Sequence, residues 1–171
     1  CDLLSSDNIE DRKYHFQDDY KKVFNYNNWD IIIGHPPCTA ISVSGNRWYS
    51  GTNERIKAIE FVKEMADLFD KHASVGWAIE NPVGVLSSQW QKPSQYIQPY
   101  QFGHPESKKT GLWLNGLPLL KSTKELKKPT CGYWNNQTPS GQNKLGPSLN
   151  RWKERSKTYS GIAKAMAVQW G

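Results

Sequence analysis

The residues best suited to chemistry in this chain lie in two short motifs, each of which follows an apolar run. Residues 31–39 read Ile-Ile-Ile-Gly-His-Pro-Pro-Cys-Thr, and residues 78–82 read Ala-Ile-Glu-Asn-Pro. A cysteine thiolate is a strong nucleophile, and a carboxyl group can hold the edge of a base. Cys38 and Glu80 together therefore have the functional groups that chemistry on a pyrimidine ring requires.

Cytosine is the pyrimidine that suits these two groups. A thiolate that adds to C6 makes C5 a carbanion-like nucleophile, which can take a methyl group. A carboxyl group that faces N3 and the exocyclic amine stabilises the negative charge on the ring. We therefore assign Cys38 as the nucleophile and Glu80 as the anchor of the ring. The alternatives are a small buried Cys38 and an ion-paired Glu80 at the surface.

The motifs need a sheet to bring them together. Three consecutive isoleucines predict a strand over 29–34 that is covered on both faces, and residues 75–80 predict a second buried strand. The loops at the carboxyl ends of parallel strands share one edge, where ligands bind. Cys38 and Glu80 are therefore expected at one rim.

A long helix is predicted between these strands. From Asn53 to about His72, apolar residues recur at three- and four-residue spacing, and Thr52 or Asn53 can cap the helix. The predicted apolar stripe comprises Ile56, Ile59, Val62, Met65, Ala66 and Phe69. Strand, helix and strand then form a βαβ unit with a right-handed crossover.

Less regular patterns complete the predicted fold. Residues 13–17 predict a short strand, 39–52 a loop, and 98–102 and 111–115 two strands at the far edge of the sheet. Residues 158–169 predict a final helix. Its predicted apolar stripe comprises Ile162, Ala165, Met166 and Val168.

Residues 117–150 read as a loop-rich basic insert with little core, because Pro, Gly, Asn and Ser are frequent there. The basic and aromatic residues of the insert include Lys121, Lys124, Lys127, Lys128, Tyr133 and Trp134. It can be a DNA-contacting loop or a solvated connection, and the sequence favours neither.

Bulk properties set the class of protein. The 171 residues predict one domain over 1–171, and the net charge of +6 with eight Trp and eight Tyr suits a nucleic-acid partner. Three dispersed cysteines predict a reducing compartment, and no spacing of cysteines and histidines predicts a metal site. With no signal peptide and no membrane-spanning run, we expect a cytoplasmic protein.

These motifs resemble those of the DNA cytosine-5 methyltransferase family. Pro37-Cys38 matches its catalytic loop, and Glu80-Asn81-Pro82 approximates its Glu-Asn-Val signature at a comparable spacing. Residues 103–110 loosely resemble a Gly-x-Pro-Gln-x-Arg-x-Arg segment, and 159–163 resemble the last motif. The resemblance covers nearly the whole chain, and its carboxyl end is similar to small phage-encoded methylase-like proteins.

The resemblance implies a Rossmann-like methyltransferase sheet with helices on both faces. It also implies DNA as substrate and S-adenosylmethionine as cofactor. The catalytic residues would be Cys38, Glu80 and Lys108, where Lys108 takes the place of an arginine that helps hold the flipped base. The substrate contacts would be Asn81, Pro82, Arg47 and Thr39, and the cofactor contacts would be Asp2, Asp19, Pro36, Pro37 and Gly161.

The chain also departs from the family pattern. Thr39 stands where the family has Gln, and no Gly-rich cofactor turn precedes Asp2, so we expect a fragment that lacks the first strand and binds cofactor weakly or not at all. Two alternatives therefore remain. One is a non-catalytic DNA-binding or degenerate methylase module. The other is an amino-methyltransferase, whose Pro-Pro loop residues 35–38 half-resemble.

Overall fold

The computed structural model of the chain describes residues 19–24, 28–146, 148 and 151–171. The predicted strand over 13–17 and Asp2 lie outside the described residues. In chain order the elements are α1 (Tyr20–Val23), β1 (Trp29–Gly34), α2 (Asn46–Tyr49), α3 (Asn53–His72), β2 (Ala73–Pro82), α4 (Leu86–Gln89), β3 (Gln95–Ile97), β4 (Thr110–Asn115), α5 (Arg151–Ser156) and α6 (Ser160–Trp170).

The four strands form one mixed sheet in the order β1-β2-β4-β3. β1 and β2 are parallel neighbours with Gly34 opposite Ile79, as the βαβ pattern predicts. β4 runs antiparallel to both β2 and β3, so it is a reversed strand between two strands of the same direction. Because of these pairings, the carboxyl ends of β1, β2 and β3 share a rim with the start of β4.

Helices cover both faces of this sheet, which makes the described part of the chain an α/β structure. On one face, α3 packs on Trp77, Ile79 and Trp113. On the other face, α6 packs on Ala78 and Leu112. Successive residues of β2 enter opposite clusters because side chains alternate across a strand.

The long helix has the predicted boundaries, Asn53–His72, and the Thr52 hydroxyl accepts a hydrogen bond from the Arg55 amide. The predicted stripe is wrong at one position. Ile56 is 53% exposed, whereas Arg55 is buried. The buried stripe thus begins at Arg55, one residue earlier than the apolar pattern indicates.

Three other expectations need correction. β1 is an edge strand of the described sheet and is only partly covered, because Ile31 and Ile32 pack against opposite clusters whereas Ile33 is 40% exposed. The strand expected over 98–102 lies at Gln95–Ile97, because Pro99 begins a 3-10 turn over Pro99–Gln101. In α6, Val168 is exposed and Trp170 is buried in its place.

Two short helical segments, Val43–Gly45 and Asn46–Tyr49, interrupt the loop predicted over 39–52. The insert is loop-rich, as predicted, and has no helix or strand over 117–146. It is nevertheless anchored, because Leu120 and Trp134 are buried. Among the described helices, none is long and apolar enough to cross a membrane.

Candidate active site

The candidate site lies at the rim where β1 and β2 end side by side. Their register continues past Gly34 and Ile79, so His35 and Glu80 become neighbours. His35 Nδ1 lies 3.0 Å from Glu80 Oε2, which is hydrogen-bond distance. The Glu80 side chain is only 18% exposed, and that of His35 is 43% exposed. The rim therefore presents a sheltered carboxyl group in hydrogen-bond contact with an imidazole.

Asn81 joins the two motifs. Its side chain is 1% exposed, and its Nδ2 donates a 2.9 Å hydrogen bond to the Pro36 carbonyl oxygen. This bond holds the Pro-Pro-Cys segment against the end of β2. The other amide atom, Asn81 Oδ1, is buried and has no hydrogen-bond partner among the described residues.

Cys38 begins a tight turn at this rim. Its carbonyl oxygen accepts hydrogen bonds from the amides of Ile41 and Ser42, at 3.2 and 2.9 Å. Its thiol is free of any disulfide, and the residue is half-buried. A half-buried residue with a free thiol is therefore part of this rim.

The turn is joined to the loop after β2 by main-chain bonds. The Val43 amide donates to the Val83 carbonyl at 3.0 Å, and the Val85 amide donates to the Ile41 carbonyl at 2.9 Å. Gly84 lies between them, and a Cβ atom there would be 1.9 Å from the Ile41 oxygen. The two motif loops are therefore in direct backbone contact, which fixes the position of the Cys38 turn relative to β2.

The buried guanidinium group of Arg55 is hydrogen-bonded to the Cys38 turn. Arg55 Nε, on the first turn of α3, donates a 2.8 Å hydrogen bond to the Ala40 carbonyl. Its Nη2 is buried and has no partner within the described ranges. Burial of a guanidinium group costs free energy unless the group is hydrogen-bonded. The bond to the Ala40 carbonyl therefore indicates that Arg55 stabilises the loop rather than the helix.

The other predicted catalytic residue, Lys108, lies at the same rim just before β4. Its amide donates to Gln98 Oε1 at 3.0 Å, and its Nζ donates to the Arg155 carbonyl at 3.0 Å. The side chain thus reaches the end of α5. In the part of the chain that the structure describes, no hydrogen bond or ion pair joins it to Cys38 or Glu80.

The predicted substrate contacts surround the turn. Thr39 is exposed beside Cys38, and Pro82 ends β2 opposite Thr110. Arg47 is exposed on α2, and its guanidinium carbon lies 5.2 Å from the centroid of the Trp48 ring, which is 71% exposed. A cation and an aromatic ring are thus available to a nucleic acid near the rim.

The predicted cofactor contacts have structural roles where they are described. Asp19 caps α1 by accepting a 3.0 Å bond from the Lys21 amide. Pro36 is buried with its carbonyl bound by Asn81, whereas Pro37 is exposed. Gly161 packs so closely that a Cβ atom would lie 2.1 Å from the Phe102 oxygen.

A cavity of about 350 Å³ lies between β1 and α6, and it has a largely apolar wall that includes Ile31 and Met166. Its side-chain polar groups are those of His35, Thr158 and Trp170, and no Asp or Glu side chain lines it. This cavity therefore lacks an acidic side chain that could bind the ribose hydroxyls of S-adenosylmethionine. Among the described residues, no group of three or more His, Cys, Asp and Glu could hold a metal ion.

Sequence reasoning did not assign His35 and Arg55 to the site. His35 precedes the two prolines, and its contact with Glu80 depends on the strand register. Arg55 lies one turn into a charged helix end, where an arginine is normally solvated. No protein-family model and no curated protein sequence matches this chain.

Proposed function

We propose that this chain acts on cytosine in DNA by adding Cys38 to C6, the first step of the DNA (cytosine-5)-methyltransferase reaction. One observation carries the proposal. The Asn81–Pro36 hydrogen bond fastens the Pro-Pro-Cys turn to β2, the strand that carries Glu80. A nucleophile and a sheltered carboxyl group are thereby held at the same rim of an α/β sheet, where substrates of such sheets bind.

The chemistry of the addition follows from these two groups. The Cys38 thiolate forms a bond to C6, and the C5=C6 double bond breaks. Its electrons make a C4=C5 bond, and the C4=N3 electrons take a proton from the Glu80 carboxyl group onto N3. The product is a neutral enamine with a nucleophilic C5. His35, at 3.0 Å from Glu80, can return a proton to that carboxyl group.

The topology and the surface agree with this proposal. The parallel pairing of β1 and β2 brings both motif loops to one edge of the sheet. A cytosine must leave the duplex before its C6 can be reached. The exposed Arg47–Trp48 pair near the rim and the basic insert offer contacts for the DNA.

Exchange of the C5 hydrogen with solvent tests the addition without requiring any cofactor. The enamine can take a deuteron at C5. Loss of the original C5 hydrogen as a proton and release of the Cys38 thiolate then restore the C5=C6 double bond and leave labelled cytosine. We expect exchange in DNA incubated with the protein in D₂O, measured by mass spectrometry of the nucleosides. Cys38→Ala and Glu80→Gln should abolish it. Cys131→Ala removes the exposed free cysteine and should leave exchange unchanged. Exchange that persists in Cys38→Ala would remove the nucleophile assignment.

A second function, a DNA-binding module without methyl transfer, is favoured by the structural roles of Asp19 and Gly161. DNA containing 5-fluorocytosine separates the two, because fluorine blocks release of the methylated adduct. A denaturant-stable adduct that needs both Cys38 and S-adenosylmethionine establishes the methyltransferase. DNA binding with neither exchange nor adduct establishes the binding module.

A further inference from the structure

A second cavity, of about 770 Å³, lies at the same rim as the candidate active site but is built from other residues. Ile97, the last residue of β3, is opposite Thr110, and Thr110 is opposite Pro82. Gln98 and Ser107, which line the cavity, therefore lie further along the edge where Glu80 lies. The volume is in the range of small-molecule sites.

The aromatic wall of this cavity is held in place. The rings of Tyr100 and Trp134 stack with centroids 4.6 Å apart and planes 2° apart. Trp134 is buried, whereas Tyr100 is half-buried. The Leu126 amide donates a 2.8 Å bond to the Tyr100 carbonyl, so the basic segment that follows is fixed beside the stack.

The insert is fastened to the rim as well. Asn136 Oδ1 accepts from the Ser107 amide at 3.0 Å, and Asn136 Nδ2 donates to the Ser107 carbonyl at 2.8 Å. The Asn135 amide adds a 3.0 Å bond to the Pro105 carbonyl. The cavity is therefore preformed by two segments of the insert and by the loop before β4.

The cavity lining combines cations, an aromatic wall and amides. Lys127 and Lys128 are exposed and line it together with one acid, Glu125, and with Gln98 and Gln137. Lysines suit a phosphate group, an aromatic ring gives a base a surface to stack on, and side-chain amides can bond a base edge. A simple anion would leave the aromatic wall unused, so a nucleotide fits the whole lining best.

We propose that this cavity binds one unpaired nucleotide of a DNA strand, with its base against the Tyr100–Trp134 stack and its phosphate at Lys127 and Lys128. The inference rests on the proposed function only in taking DNA as the substrate. It adds a second contact on the strand, apart from Cys38. A paired base has no free face, so the site should favour single-stranded DNA.

The test is binding of a fluorescein-labelled eight-nucleotide single strand and of the matching duplex, followed by polarisation at several salt concentrations. We expect Lys127→Gln with Lys128→Gln to weaken single-strand binding about tenfold and to lower the salt slope by about 0.7 for each phosphate that is no longer neutralised. Lys57→Gln with Lys63→Gln, on α3, removes the same charge and should change binding less than twofold. Equal losses in the two pairs would overturn the site.

The aromatic wall is tested separately. Tyr100→Leu should weaken single-strand binding about tenfold, since stacking on one base is removed, while duplex binding stays within twofold. Tyr100→Phe keeps the ring and should bind as the wild type does. If Tyr100→Leu lost the same affinity for the single strand and for the duplex, the stacking role would be overturned. If the single strand bound no tighter than free dAMP, the assignment to DNA would be overturned. These results do not depend on the cysteine adduct.

Discussion

At the scale of single residues, the candidate site depends on short polar contacts that link the two motifs. Asn81 holds Pro36, His35 touches Glu80, and Arg55 supports the Cys38 turn through Ala40. The motifs themselves can be read from the sequence, because residue types and spacing are visible there. These contacts cannot, because they depend on strand register and on the face that a helix turns inward.

We expect Asn81→Ala to lower the free energy of unfolding and to weaken the attachment of the Pro-Pro-Cys turn to β2. The change removes a buried bond and leaves the Pro36 carbonyl without its donor, which costs about 1 to 3 kcal/mol. Urea unfolding measures the loss, and C5 exchange should fall further than the unfolded fraction explains. Asn115→Ala is the control, because its 2.7 Å bond to Asp70 is exposed and should contribute less than about 1 kcal/mol. Equal losses would contradict the role of burial at Asn81.

The stability of the protein at alkaline pH should depend on Tyr159. Burial, with a 2.6 Å hydrogen bond to Glu106, raises the pKa of Tyr159 above its ordinary value of 10.0. The unfolded chain ionises first, so this stabilisation is complete below about pH 10 and is lost as the pH rises above it. Tyr159→Phe should be less stable at pH 7 and should lose less stability between pH 9 and 11.5. Tyr133→Phe, measured by the same urea titrations, should retain the wild-type slope.

At the scale of elements, the strongly periodic segments were predictable and the short ones were not. The boundaries of α3 follow from its apolar period and from Thr52. β3 ends at Ile97 and does not extend over 98–102 as expected, because Pro99 begins a turn there. Ile56 and Val168 are exposed although the apolar pattern places them inward, because tertiary contacts bury Arg55 and Trp170 instead.

The corrected face of α3 can be tested with one type of substitution at two positions. Ile59 is 5% exposed and Ile56 is 53% exposed, although they lie three residues apart. Ile59→Ala should cost about 2 to 4 kcal/mol by opening a cavity against the sheet. Ile56→Ala should stay within about 0.5 kcal/mol. Thermal or urea unfolding measures the loss of stability in each variant. Similar losses would mean that Ile56 belongs to the buried stripe, as the sequence predicts.

At the scale of the whole molecule, the sheet gathers separate parts of the chain at one rim. Cys38, Glu80 and Gln98 follow three strands that point the same way, and Lys108 precedes the strand that returns. Chain order predicts that Cys38 and Glu80 lie at one rim, because β1 and β2 belong to one βαβ unit. It does not predict the anchoring of the insert, which depends on Trp134 and Asn136 contacting residues far away in sequence.

The position of the lysines in the insert should determine how strongly the affinity for duplex DNA depends on salt concentration. We expect Lys121→Gln, Lys124→Gln and Lys128→Gln together to reduce the slope of log affinity against log salt, by about 0.9 for each phosphate that these lysines neutralise in the wild type. Lys57→Gln, Lys63→Gln and Lys71→Gln remove equal charge from α3 and should leave the slope unchanged. A similar reduction in both variants would mean that net charge alone drives binding and that the insert is a solvated connection.

The backbone contact at Gly84 affects how variation at this position should be interpreted. No side chain fits there, because even a Cβ atom would meet the Ile41 oxygen. Among diverged relatives this glycine should therefore persist as firmly as a residue that contacts the substrate, although it carries no functional group. An invariant column at Gly84 would record the closeness of two loops, and a survey that ranks positions by invariance alone would mistake it for part of the chemistry.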